Sequence, residues 1–261
     1  MKIRIAKFIA DSGAASRREA ERLIECGAVK VNGARVDTPV FFVQNGDRVE
    51  INGRPVTARD KTRVFVFNKP INTVTSAHDP DGRKTIYDVL PVALRNLKYV
   101  GRLDYKTTGL LLLTDAGEFA RKLTLPSTGI LRTYVAKLRP MDMGEIKSAA
   151  SSRALRQFLS PLSSDAAIFD TVRRGVTVDG IKYAPMQIEL LTRYPLAVKI
   201  TLTEGKKNEI RIIMRHLGFM VSKLHRESYG PIKLDGLKSG EVRELSASEI
   251  VQLLGSGLIK L

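Results

Sequence analysis

Apolar residues in the first sixty positions change period partway along. Ile5, Phe8 and Ile9 recur at helical spacing and mark one face of a first helix. Ser16-Arg17-Arg18-Glu19 is a capping-box pattern that opens a second helix, running through Leu23 and Ile24 and stopped by Gly27. The period then shortens to two in Val29-Lys30-Val31 and Ala34-Arg35-Val36, and Asn32-Gly33 between them suits a two-residue hairpin turn. Asp47-Arg48-Val49-Glu50-Ile51-Asn52-Gly53 predicts one more strand and turn. Arg59-Asp60-Lys61-Thr62-Arg63 reads as a short charged linker.

A different pattern follows. Val64-Phe65-Val66-Phe67 is an apolar strand, and Asn68-Lys69-Pro70 ends it because the residue before a proline is pushed out of helical geometry. A second apolar strand lies at 110–113. Asp115 with Glu118 can cap a helix through Phe119, Ala120 and Leu123. Further strands are predicted at 132–138, 175–178, 185–191 and 198–202, and a helix at 208–216 that Gly218 ends. Strands and helices do not alternate regularly, which argues against a doubly wound parallel sheet. The expected class is α+β: a small N-terminal domain over 1–59, a mixed, mostly antiparallel sheet domain over 63–250, and a tail over 251–261.

Charge narrows the range of partners. The 261 residues carry 43 Lys+Arg against 27 Asp+Glu, a formal net charge of +16, which points to a polyanion. No apolar run has the length of a membrane span and the N-terminus lacks the apolar centre of a signal peptide, so a cytoplasmic protein without a membrane partner is expected. Cys26 is the only cysteine; intrachain disulfides are excluded, and its place in the second helix suggests a core position. Three histidines and one cysteine show no metal-ligand spacing, so no metal is expected. Residues 1–60 hold 11 Lys+Arg and 8 Asp+Glu, so the excess is not concentrated in the small module, whose case rests on where Arg17, Arg18 and Arg22 stand.

One stretch carries chemistry. Val100-Gly101-Arg102-Leu103-Asp104-Tyr105-Lys106-Thr107-Thr108-Gly109 leads into Leu110-Leu111-Leu112-Leu113 and sets one carboxylate between Arg102 and Lys106. Neighbouring cations favour the ionised carboxylate. The stretch closely resembles the signature of pseudouridine synthases of the RsuA type, in which a Gly-Arg-Leu-Asp tetrapeptide carries the catalytic aspartate. The first 58 residues resemble the RNA-binding domain first seen in small-subunit ribosomal protein S-four. Pseudouridine formation breaks the glycosidic bond of a uridine, turns the base and rejoins it through carbon-5, with no redox step, so the resemblance implies no cofactor.

The resemblance also assigns roles. Asp104 is the essential carboxylate, either as nucleophile on the anomeric carbon or as base on a sugar proton; in both it is expected ionised in a dry pocket. Arg211, in Glu204-Gly205-Lys206-Lys207-Asn208-Glu209-Ile210-Arg211, matches the basic residue that the family places against the aspartate. Lys206 stands where the family commonly has Arg, and Asn208-Glu209 where it commonly has His-Gln. Lys cannot reproduce a bidentate Arg contact. Tyr134, in Leu131-Arg132-Thr133-Tyr134, matches the tyrosine that stacks on the target base. Lys69 and the block Asp79-Pro80-Asp81-Gly82-Arg83-Lys84-Thr85 resemble the family's first motif. The RNA contacts expected are Arg17, Arg18, Arg22, Lys30, Lys69, Arg83, Arg102 and Lys206, the last two beside the catalytic residues. The implied partner is ribosomal RNA, with a lean to the large subunit, or a pre-ribosomal particle, met by a monomer.

Two rivals remain at this level. A non-enzymatic RNA-binding or assembly protein would be expected to lose one of Asp104, Tyr134 and Arg211, and all three are present. A methyltransferase needs a nucleotide-cofactor loop opening a parallel-sheet domain, and no such loop is visible.

Overall fold

The computed structural model describes residues 2–57, 62–142, Leu155 and 167–258. The chain folds into two compact units: Met1–Arg63 with Asn96–Lys98 and Thr114–Phe119, and Val64–Arg95 with Tyr99–Leu113 and Ala120–Leu261. Most of the charged linker, from Arg59 to Lys61, lies outside the described residues.

In the first unit β1 (Ile3–Arg4) leads into α1 (Ile5–Ser12), and α2 (Arg17–Glu25) follows. The Ser16 side chain accepts from the Glu19 N–H at 3.2 Å, the cap that the sequence pattern predicts. After it come β2 (Val29–Val31), β3 (Ala34–Arg35), β4 (Phe42–Val43), β5 (Val49–Ile51) and β6 (Arg54–Val56). Strand order in the four-stranded sheet is β3-β2-β5-β6, while β1 pairs with β4. Both hairpin turns place Asn then Gly at positive φ: 51° and 84° at Asn32-Gly33, 50° and 76° at Asn52-Gly53. That is the turn whose twist matches the flanking strands. Ile5, Ile9, Ile24, Val29 and Val49 form the core, and full burial of such side chains stabilises by roughly 1.5–3 kcal/mol each. Cys26 departs from the core position expected of it: it caps α2 and is exposed.

The second unit is built on a nine-stranded sheet. Its strands are β7 (Val64–Lys69), β8 (Lys98–Val100), β9 (Thr107–Thr114), β10 (Arg132–Pro140), β13 (Gln187–Arg193), β14 (Leu196–Leu202), β15 (Phe219–Tyr229), β16 (Ile232–Lys233) and β17 (Val242–Glu244); β11 (Val176–Val178) and β12 (Ile181–Tyr183) form a separate hairpin. The order is β13-β14-β10-β15-β9-β7-β17, with β8 on β9 and β16 on β15. β10 pairs antiparallel with β14 and β15, and β13 with β14, while β15 and β9 run parallel. The helices are α3 (Ile86–Val89), α4 (Gly117–Thr124), α5 (Ala167–Arg173), α6 (Glu209–His216) and α7 (Ala247–Leu258). The mixed, mostly antiparallel sheet is the architecture the sequence predicts.

Three details differ from expectation. The Asp115 carboxylate accepts from the Arg63 N–H at 2.9 Å, so it is engaged with the chain ahead of β7 as well as standing before α4. Residues 251–258 are the last turns of α7 and not a tail: Leu253 is fully buried, and Ser246 and Glu249 exchange capping bonds of 2.8 and 3.3 Å. The central strand β15 escaped prediction because Phe219–Tyr229 mixes apolar and charged residues without alternation.

Candidate active site

Asp104 sits in the turn between β8 and β9. Gly101 opens that turn at φ 65°, a left-handed conformation that glycine adopts without strain. Leu103, nearly buried, plugs the turn into the core, and the Thr75 hydroxyl bonds both its carbonyl, at 2.7 Å, and its N–H, at 3.3 Å. The Thr107 N–H closes the turn on the Asp104 carbonyl at 2.9 Å. Fixed backbone on both sides leaves the Asp104 side chain facing a cavity of about 480 Å³, within the usual range for small-molecule sites.

Four segments bring charged or aromatic side chains to that cavity, and Thr124 and Pro126 complete its lining. Gly101–Thr107 brings Arg102 and Asp104, β10 brings Arg132 and Tyr134, the run from Leu202 to Arg211 brings Glu204, Lys206, Glu209 and Arg211, and β15 brings Arg226 and Tyr229. Asp104, Tyr134 and Arg211, far apart in sequence, therefore meet in one place, and Arg102 and Lys206 stand with them. Basic residues outnumber acidic ones in the lining, a balance suited to a phosphodiester chain.

The Asp104–Arg211 relation differs from the close pair expected. Asp104 is exposed, and among the described residues it makes no ion pair. The Arg211 guanidinium donates to the Val221 carbonyl at 2.9 Å and the Lys106 carbonyl at 3.3 Å. Burial lowers the Arg211 pKa, and the Asp104 charge pulls it back up. The cation is thus tied to the backbone two residues beyond Asp104 and reaches the carboxylate through the field.

Lys69 is no phosphate contact. Its side chain is fully buried, and its ammonium donates to the carbonyls of Thr107, Pro70 and Asp104 at 2.9, 3.1 and 3.3 Å. Burial, opposed by the attraction of Asp104 and aided by the Arg226 charge, draws its pKa down to about 8. Arg83 is also engaged: it binds both oxygens of Asp79, at 2.7 and 2.8 Å, and Asp81 at 2.9 Å, and it does not line the cavity. Two carboxylates already neutralise it, so the phosphate role expected of it is not supported. Lys206 pairs with Glu204 and lies 5.5 Å from the Tyr183 ring centroid. Arg17, Arg18, Arg22 and Lys30 are exposed in the first unit, with Arg22 3.6 Å from Glu19.

Sequence reasoning missed Glu209 and Arg226. Glu209 is buried at the start of α6, where one carboxylate oxygen accepts from the Lys206 N–H at 2.8 Å. Burial pushes its carboxyl up; the Lys206 N–H pulls back, Glu204 adds to the push, and the result is about 7. Glu204 is held below the ordinary carboxylate value, since burial is outweighed by the Ala184 N–H, Lys206 and Glu209. Arg226 lies on β15, whose pattern gave no signal. Its cross-strand neighbours are Tyr134 on β10 and Gly109 on β9. A Cβ on Gly109 would stand 2.3 Å from the Arg226 carbonyl oxygen, so the glycine of the Thr-Gly-Leu-Leu-Leu run permits the close approach of these strands.

The family described as RNA pseudouridylate synthase matches residues 63–216, and the S4 domain matches residues 3–49. Over 254 residues the chain is 36% identical to the ribosomal large subunit pseudouridine synthase B of Bacillus subtilis, covering 96% of this chain and 95% of that one. The chain belongs to the RNA pseudouridylate synthase family. An uncharacterized RNA pseudouridine synthase of Rickettsia bellii is 36% identical over 245 residues, covering 93% of this chain and 96% of that one. A crystal structure of a pseudouridylate synthase matches with a TM-score of 0.61 at 28% identity, covering 96% of this chain and 99% of that one. Pseudouridine synthases are isomerases that act without a cofactor. Among the described residues no helix is long and apolar enough to cross a membrane.

Proposed function

We propose that this chain isomerises a uridine of large-subunit ribosomal RNA, with Asp104 as the essential carboxylate and Tyr134 and Arg211 as its partners. The observation that carries the reading is the convergence of these three residues from separate segments on one basic cavity of about 480 Å³. The likeness to the ribosomal large subunit pseudouridine synthase B of Bacillus subtilis supports the choice of RNA. Asp104 reacts at the sugar, as nucleophile or as base, while the target base is unstacked onto the Tyr134 face. Arg102 and Lys206 meet phosphates at the cavity mouth, and Arg17, Arg18, Arg22 and Lys30 meet them along the N-terminal RNA-binding domain, which we assign to 1–59, with the catalytic domain starting at 63. The substrate is naked RNA or an assembling particle, in the cytoplasm. We propose that it acts as a monomer.

The test is release of tritium from carbon-5-labelled uridine in large-subunit ribosomal RNA, with binding followed in parallel. Asp104→Asn keeps side-chain size and removes nucleophile and base alike, so turnover is expected to vanish while affinity is nearly kept. Substantial turnover by that variant would sink the assignment.

A further inference from the structure

Two guanidinium groups and two tyrosine rings alternate along the cavity wall. The Arg132 guanidinium carbon lies 5.1 Å from the Tyr229 ring centroid, and that of Arg226 lies 5.3 Å from Tyr229 and 5.9 Å from Tyr134. Arg226 is 2% exposed. Its Nε donates to the Leu110 carbonyl at 2.6 Å, one terminal nitrogen reaches the Tyr134 hydroxyl at a long 3.4 Å, and the other is buried with no partner. Among the described residues no carboxylate pairs with it. A buried cation left uncompensated is costly, and the cost calls for an explanation in the working state.

The reaction supplies the missing charge. When the C1′–N1 bond breaks, both bonding electrons leave with N1 and the uracil ring becomes anionic. C5 then supplies the pair for the new C1′–C5 bond, the C5 proton departs and N1 ends protonated, so atoms and electrons balance without a co-reactant. We propose that Arg226 is a positioning residue for this step: it fixes the Tyr134 ring against which the base rests, and its charge stabilises the uracil anion through that ring. Gly109 makes the arrangement possible by letting β15 approach β9. The proposal rests on the functional reading above.

The test varies the leaving group. Large-subunit ribosomal RNA transcripts made with uridine or with 5-fluorouridine, whose base is the more acidic leaving group, are converted under single-turnover conditions by the wild type, Arg226→Met and Arg226→Lys. The fluorinated ring, which has no C5 proton to lose, ends as the C5-linked glycoside with water added at C6, so loss of the parent nucleoside after nuclease digestion is measured by mass spectrometry on both transcripts. Arg226→Met is expected to slow uridine conversion roughly 10- to 100-fold with RNA affinity nearly unchanged. Its defect on the 5-fluorouridine transcript is expected to be at least about threefold smaller, because a better leaving group needs less help. Arg226→Lys keeps the charge and should recover most of the rate. If the methionine variant does not fold, Arg226→Gln serves as the neutral member of the comparison. Equal defects on both transcripts, or a lysine variant as slow as the neutral one, would overturn the proposal. A wild type that converts neither transcript would overturn the functional reading instead.

Discussion

The Lys69 ammonium donates to the Asp104 carbonyl oxygen at 3.3 Å from inside the core, with Thr107 and Pro70 carbonyls completing its contacts. A buried cation thus holds the backbone on which the Asp104 carboxylate stands. Lys69→Met keeps the length of the side chain and removes three donors. The carboxylate turn should loosen, and a displacement of about 1 Å at such a site costs on the order of 10²-fold in rate. RNA affinity should hardly change, because Lys69 cannot reach a phosphate. Rates and affinities measured on one RNA decide the matter: a large loss of affinity with normal turnover would restore Lys69 to the RNA surface.

Arg211 tests a different tie. Its guanidinium spans the Val221 and Lys106 carbonyls. A lysine ammonium is a single point and cannot hold both in the same geometry. Arg211→Lys is therefore expected to lose most of the activity that Arg211→Ala loses, with turnover falling by roughly 10²-fold or more in each and RNA binding kept. The sequence alone suggests a mild lysine variant, since it shows only the charge. Near wild-type turnover by Arg211→Lys would mean that charge suffices and the backbone ties do not matter.

Glu209 makes stability depend on pH. Its folded pKa is about 7 against an ordinary 4.5, so the folded state binds the extra proton between those values. Its contribution to stability is complete below pH 4.5 and is lost as pH rises to about 7. Glu209→Gln stays neutral, still accepts from the Lys206 N–H and has no such loss. The variant should match the wild type at pH 4 and melt on the order of 4 °C higher at pH 8. Thermal melts at the two pH values check this, and an equal shift at both would show that proton binding is not the cause.

Where period and turn chemistry agree, the fold was legible before any coordinates. Ser16 caps α2, and the two Asn-Gly turns close hairpins at positive φ as their sequences require. Asp104, Tyr134 and Arg211 were legible through motif likeness and do share one cavity. What stayed hidden depends on tertiary environment. Strand β15 carries Lys223, Arg226 and Glu227 without alternation, and only Arg226 of the three lines the cavity, so Arg226 had no periodic signal. Lys69 reads as a surface cation until the carbonyls around it are seen. Glu209 reads as a polar first-turn residue until its burial is known. The Ser246–Glu249 box is present in the sequence and opens α7, whose last turns occupy residues that otherwise read as a tail.

The first unit should act through phosphate contacts whose number is readable from salt. Arg17, Arg18 and Arg22 project from α2, Lys30 stands on the neighbouring sheet, and all four are exposed. Each phosphate contact contributes about 0.7–0.9 to the slope of log affinity against log salt. Alanine at Arg17, Arg18 and Arg22 together, in the full chain, should flatten that slope by about two. The Arg22–Glu19 pair, 3.6 Å apart, and the Arg17–Glu118 pair, 3.7 Å apart, compete at the surface with two of the contacts and keep the change below its ceiling. Single-turnover rate at saturating protein should be unchanged, since none of the three lines the cavity. Titration of wild type and triple variant on one ribosomal RNA fragment gives both slopes. Identical slopes would remove electrostatic RNA binding from this helix and leave it a packing or protein-contact role.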